Sequence, residues 1–171
     1  ELYRRAGSNR PLAVLNMAAE KAGWGTPAPA GWTRGVAVHE SFGSVVAQVA
    51  EVRLEDGEPK VGRVVTVIDC GIAISPDQIA AQMEGGTCLG LSAALFGRIE
   101  LKGGEPAQSN FDTYRVLRHG EAPSVETYIM PSTNPPSGVG EPGTPVIGPA
   151  VANALLAMGQ PPVTSLPLVK T

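Results

Sequence analysis

SVVAQVAEVRLEDGEPKVGRVVTVIDC, residues 44–70, holds two runs rich in Val, Ala and Ile on either side of EDGEPK. β-branched residues favour extended backbone, and Asp-Gly followed by Glu-Pro is turn chemistry, so the stretch reads as two long strands joined by a tight turn. Arg34–Gly43, RGVAVHESFG, has the same character and leads directly into the first run. This predicts a hairpin at the centre of a sheet, with a further strand before it.

Helical signals flank the sheet. From Arg10 to Gly23, Pro11 suits a first helical turn, Leu12, Leu15 and Ala19 recur at helical spacing, and Gly23 closes the end. The Gly/Pro linker GWGTPAPAGWT follows, and its Trp24 and Trp32 rings are expected to anchor this arm to the body. Residues 75–97, SPDQIAAQMEGGTCLGLSAALFG, predict a buried helix with Ser75 as N-cap, Pro76 at the first position and Asp77 in the first turn. The pair Gly85–Gly86 in its middle costs about 1 kcal/mol per glycine relative to alanine, so it needs a reason such as close approach of backbone or ligand. Strand candidates follow at GRIELKGGEPAQ, NFDTYRVLR and SVETYIMPS, then a C-terminal helix in GTPVIGPAVANALLAMG. The expected fold class is α+β, a mixed, mostly antiparallel sheet packed against helices. Residues 1–33 form the helical arm and linker, and residues 34–171 form the main domain.

Composition narrows the function classes. The 171 residues are 43% apolar and only 17% charged, which suggests that part of the surface faces another protein layer. The net charge of −3 and scattered Lys and Arg give no footprint for nucleic acid. No apolar run approaches the ~20 residues of a membrane helix, so no membrane insertion is expected. The chain opens without Met or a signal-peptide pattern, as expected of a segment whose targeting signal lies upstream; cytoplasmic and periplasmic locations both stay open. Cys70 and Cys88 stand alone, outside any CxxC pair or zinc spacing, and read as reduced, buried side chains. Ser41 and Ser44 lack a nucleophile-elbow context, and His39 reads as a hydrogen-bonded core or interface residue, so hydrolase chemistry is not supported. The glycine runs GGTCLGL and GVGEPG lack the lysine or the βαβ setting of a phosphate cradle.

One loop is unusual. Residues 138–145, GVGEPGTP, set Glu141 among three glycines and two prolines. Such a loop is bare and rigid, which fits either a polar turn before a helix or a carboxylate presented to a ligand.

Three segments together, VIDCGIAISPDQIAAQMEGG, SNFDTYRVLR and SGVGEPGTPVIGPAVANAL, resemble the C-terminal part of the large subunit of molybdenum hydroxylases, the aldehyde oxidase and xanthine dehydrogenase family. VHESFG and GEPGTP are most similar to the isoquinoline 1-oxidoreductase beta-subunit type, and the match runs from Gly35 to about Leu168. The resemblance implies a molybdenum-pterin cofactor, of the molybdopterin cytosine dinucleotide kind, and hydroxylation of an aldehyde or N-heterocycle with water. It implies that Glu141 is the general base toward a metal-bound hydroxyl and that Gln82 contacts the pterin. Gly85, Gly86, Gly138 and Gly140 would let backbone crowd the cofactor, with the glycine pair placed where a helix start approaches it. Hydride would pass to a sulfido ligand, and the electrons would leave through an iron-sulfur small subunit. Glu84 fits either a cofactor or a structural role. Asn110, Tyr114 and Arg115 fit either the edge of the site or strand packing.

The family's large subunit is several times longer, and this chain carries no cysteine set for iron-sulfur clusters and no direct metal ligands. The expected partner is therefore the remainder of the large subunit, and the chain alone is expected to bind neither metal nor pterin and to be inactive. The alternative is a free-standing, non-catalytic accessory domain of the same fold. The first reading requires Glu141 and Gln82 to open into one concavity.

Overall fold

The computed structural model describes residues 2–5, 7 and 9–169. In chain order the elements are α1 (Leu2–Arg5), α2 (Asn9–Lys21), β1 (Thr33–Ser41), β2 (Ser44–Glu55), β3 (Glu58–Asp69), α3 (Pro76–Phe96), β4 (Leu101–Lys102), β5 (Glu105–Pro106), β6 (Ser124–Ile129) and α4 (Thr144–Ala157). Four strands form a sheet in the order β1-β2-β3-β6. The hairpins β1–β2 and β2–β3 are antiparallel, and β6 joins β3 in parallel. Both hairpins close through two residues with left-handed dihedrals, Phe42–Gly43 and Asp56–Gly57, the geometry that matches the twist of paired strands. The α+β class and the central hairpin are as the sequence predicts.

β2 and β3 are covered on both faces, which is why their sequences run apolar instead of alternating. On one face Val14 and Ala18 of α2, with Ala22 just after it, lie against Val45, Ala47, Val49, Val65 and Val67. On the other, α3 and α4 bring Met83, Leu91, Val146, Ile147 and Ala150 onto Val46, Ala50, Val64 and Ile68. Pairing shifts between Glu51–Arg63 and Val52–Val61, leaving Gly62 as a bulge. A Cβ at Gly62 would overlap the Trp32 ring, and Arg53 stacks on that ring at 4.7 Å. Trp32 thus fastens the linker to the hairpin; Trp24, 44% exposed, does not share that seat.

α4 packs by backbone contact. A Cβ on Gly35 in β1 would overlap the Ala150 carbonyl oxygen and the Ala154 nitrogen, and one on Gly90 in α3 would overlap the Thr144 carbonyl oxygen. Asn153 Nδ2 donates to the Val36 carbonyl at 2.9 Å, covering part of the β1 edge. α4 also tolerates Pro149 in its interior.

Several local expectations change. NFDTYRVLR forms no strand: Asn110 accepts the Thr113 and Tyr114 amides on its carbonyl and the Phe111 amide on Oδ1, so side-chain and turn bonds replace a ladder. GRIELKGGEPAQ shrinks to the exposed two-residue strands β4 and β5. The Ser75 hydroxyl makes no cap; the Ser75 carbonyl accepts the Ile79 amide in the ordinary helical way. His39 is exposed on β1, not a core residue.

The two glycines of α3 that look alike in sequence should respond oppositely to alanine. Gly90→Ala forces α4 off α3 and should lower stability by about 1–3 kcal/mol or more, the range for overpacking. Gly85→Ala meets open space and should raise stability by up to about 1 kcal/mol through helix propensity. Thermal unfolding of the two variants beside the parent chain reads both signs.

Candidate functional site

The loop before α4 is fastened at successive residues. Ser137 donates its amide to the Cys70 carbonyl at 2.9 Å, and Gly138 donates its amide to the Phe42 carbonyl at 3.0 Å. Ser44 Oγ donates to the Gly138 carbonyl at 2.7 Å. Gln82 Nε2 donates to the Gly140 carbonyl at 3.1 Å, and the Thr144 amide reaches back to the Glu141 carbonyl at 3.0 Å. Val139 packs on the cluster of Val46, Ile68 and Met83, while Pro142 and Gly143 are buried. The loop therefore has an apolar underside and a bare outer edge made of Gly138, Gly140 and Glu141.

Gln82, Gly140 and Glu141 are brought together on that edge. Among the described residues the Glu141 carboxylate has no hydrogen bond or ion pair. Gln82 is exposed and spends one amide hydrogen on the loop, leaving its oxygen and second hydrogen for another partner. Gly85, one turn on from Gln82, is exposed beside open space, as is Glu84 on the same turn. Gly86 is different: it lies inside α3, buried, with the Thr144 hydroxyl 3.1 Å from where a Cβ would stand. The expectation that both glycines open a helix start is thus corrected, because Gly86 serves the approach of α4. Gly138 also has a packing reason, since a Cβ there would come within 2.7 Å of the Phe42 Cβ.

Arg115 stands elsewhere. Its guanidinium lies 3.7 Å from the Phe96 ring centroid and pairs with Glu121 at 2.6 Å, about 21 Å further along α3 than Gln82. Tyr114 and Asn110 belong to the turns before it, so strand packing is not their role. Gln82 and Glu141 stand on the same exposed edge, linked through the Gly140 carbonyl. A cavity of about 220 Å³ borders the loop at Pro136, Ser137 and Val139 and is lined also by Ile72 and Ile79.

Two polar groups that sequence reasoning did not single out support that edge. Gln48, fully buried in β2, donates to Thr87 Oγ1 at 2.8 Å, and Thr87 donates on to the Met83 carbonyl at 2.7 Å. This pins the α3 turn that carries Gln82 to the sheet. Arg10 of α2 grips Asp69 through Nε–Oδ2 at 2.6 Å and Nη2–Oδ1 at 3.2 Å, and also donates to the Gly43 carbonyl at 2.8 Å. It thereby joins the end of β3 to the β1–β2 turn, the two places that hold Ser137 and Gly138. The Arg10 bond, helped by the Gly71 amide, holds the Asp69 carboxyl below the usual carboxylate range against the opposing effect of burial. A lone Gln inside VVAQVAEV was the one sequence signal for the first of these groups.

A family profile described as "Molybdopterin cofactor-binding domain" matches residues 14–123. The chain belongs to this family, in the molybdenum hydroxylases. It is 34% identical over 166 residues to "Isoquinoline 1-oxidoreductase subunit beta" of Brevundimonas diminuta, covering 94% of this chain and 21% of that protein. It is 36% identical over 157 residues to "Membrane-bound aldehyde dehydrogenase [pyrroloquinoline-quinone]" of Gluconacetobacter polyoxogenes, covering 87% of this chain and 20% of that one. Among solved structures, quinoline 2-oxidoreductase from Pseudomonas putida 86 superposes with a TM-score of 0.57 at 19% identity, over 68% of this chain and 16% of that one, a likeness of fold. The chain thus spans about a fifth of the length of the curated relatives it matches. The matched profile includes Gln82 and Gly85 but ends before Glu141.

Since the Asp69 carboxyl is depressed in the folded state, its contribution to stability is complete above the ordinary value near 3.8 and is lost as pH falls through the lower, folded value. Hydrogen bonds to a charged group are worth about 1.5–3 kcal/mol, and the lower end applies because the Arg10 side chain is 32% exposed. Asp69→Asn should therefore be less stable at pH 7 and show a shallower loss of melting temperature below about pH 4. Thermal melts of parent and variant across that window check it.

Proposed function

We propose that the chain is the part of a molybdenum hydroxylase that supplies the general base, Glu141, for hydroxylating an aldehyde or N-heterocycle with water. The observation that carries this is the Gln82–Gly140 hydrogen bond: it sets a carboxylate with no partner among the described residues beside a half-used amide on an edge of bare backbone. These groups suit an organic cofactor carrying its own metal. An amide and exposed peptide groups match the donors and acceptors of a pterin, while among the described residues no group of three or more His, Cys, Asp or Glu could hold a metal ion. Gln82, Gly85, Gly138 and Gly140 form the contact edge, and the cofactor is of the molybdopterin cytosine dinucleotide kind. When bound, it supplies the Lewis acid that activates water and the two-electron acceptor that the oxidation needs.

Glu141 then takes a proton on a carboxylate oxygen from a donor within about 2.6–3.2 Å. Gln82 fixes the peptide before it, and Pro142 limits the swing of the residue after it. Residues 34–171 act as the C-terminal part of the cofactor domain with the arm of residues 1–33 laid on its sheet. The rest of the large subunit completes the pocket, and an iron-sulfur subunit takes the electrons. An accessory, non-catalytic role is less well supported, because it gives no reason to keep a carboxylate unpaired on this edge.

In the complete enzyme Glu141→Gln should cut turnover by about 100- to 10,000-fold with molybdenum content unchanged, since glutamine keeps the shape and cannot accept the proton. Rates per molybdenum on an aldehyde or N-heterocycle are the measurement, and a rate within a few-fold of the parent removes Glu141 as the base. The 171-residue chain by itself should carry no stoichiometric molybdenum when made in a cofactor-producing host. Even a 1 μM affinity needs about 8 kcal/mol of net binding free energy, more than one amide and a bare edge provide. Metal analysis of the purified chain tests this.

A further inference from the structure

We infer that Ser44 is a positioning residue for the catalytic loop, acting on Glu141 through the Gly138 carbonyl. The inference rests on the proposed role of Glu141. Ser44 is fully buried at the first position of β2, so it touches neither substrate nor cofactor. Its Oγ lies 2.7 Å from the Gly138 carbonyl and 2.8 Å from Ser137 Oγ. A carbonyl only accepts, so the single Ser44 proton goes to Gly138; Ser137 must then donate to Ser44. The result is a directed relay, Ser137 to Ser44 to Gly138, in which each bond polarises the next.

This relay does what the backbone bonds cannot. The Ser137 and Gly138 amides are already held by Cys70 and Phe42, so they fix the chain's path. Among the described residues the Gly138–Val139 peptide plane is gripped by hydrogen bonding at its carbonyl, and that grip is Ser44. Val139 has its side chain seated on the core, and the next restraint is the Gln82 bond at Gly140. With glycine at 138 and 140, release of the Gly138 carbonyl lets the peptide plane rotate and carries Glu141 off line. A misplacement near 1 Å costs on the order of 100-fold in rate when a reacting group must be aligned.

The test uses the full-length holoenzyme with Ser44→Ala. Turnover per molybdenum should fall about 10- to 100-fold with KM within about twofold. Amide exchange of Val139–Glu141 should rise, while β2 and β3 stay as protected as in the parent. Ser137→Ala keeps the Ser44–Gly138 bond and should lose only a few-fold. A purely structural Ser44 would instead lower the yield of holoenzyme and leave turnover per molybdenum unchanged; that result, or unchanged loop exchange, overturns the inference. If Ser44→Ala does not accumulate, Ser44→Cys replaces the hydroxyl with a weaker donor, and parental turnover and loop exchange in that variant overturn it equally. Glu141→Gln measured in parallel separates the two claims: an active Glu141→Gln removes the base and leaves exchange to judge Ser44, whereas an inactive one beside a fully active Ser44→Ala removes Ser44 alone.

Discussion

Backbone contact between α4 and its neighbours is the constraint on which the site depends. Gly35 on β1 and Gly90 on α3 have no Cβ, and at both positions a Cβ would stand inside α4. The helix therefore settles deeper than side chains would permit, between an edge strand and a second helix. Its first residue, Thr144, meets α3 beside Gly86, which brings the chain just before it over the turn that carries Gln82. Interiors packed to crystal density transmit such a placement instead of absorbing it. The Gln82–Gly140 bond follows from where α4 lies.

The loop is held from below by groups distant in sequence. Phe42 and Ser44 come from the first hairpin, Cys70 from the end of β3, and Gln82 from α3. Arg10 of α2 links two of these supports through Asp69 and Gly43. Burying the Arg10–Asp69 pair is offset by bidentate geometry, by the bond the Gly71 amide donates to Asp69 and by those Arg10 donates to backbone carbonyls. The effect is a rigid underside with a free outer edge, the combination a positioned base requires.

Large apolar side chains remain exposed around this body: Phe42 at 63%, Ile74 at 76%, Leu101 at 73% and Phe111 at 65%. With only 17% of residues charged, the surface is of the kind that further protein covers. Relatives about five times as long are consistent with such a layer.

The sequence by itself determined the central hairpin, the main helices and the loop. Two apolar β-branched runs around EDGEPK read as a hairpin at the centre of a sheet, and a carboxylate among glycines and prolines as a presented group or a turn. It also pointed to the family, through motifs spread from Gly35 to Leu168. Tertiary structure decided the rest. The segment Asn110–Arg115 became turns because bonds to the Asn110 carbonyl and side chain took the place of a strand ladder. Gly85 and Gly86, adjacent and identical in sequence, acquired opposite environments because helical rotation turns one to solvent and the other to α4. Ser44 and Arg10 carried no local signal as supports, and Gln48 only its place as a lone amide in an apolar run: a hydroxyl, an amide or a guanidinium becomes a support only when folding places its acceptor within hydrogen-bond reach, and that acceptor lies tens of residues away.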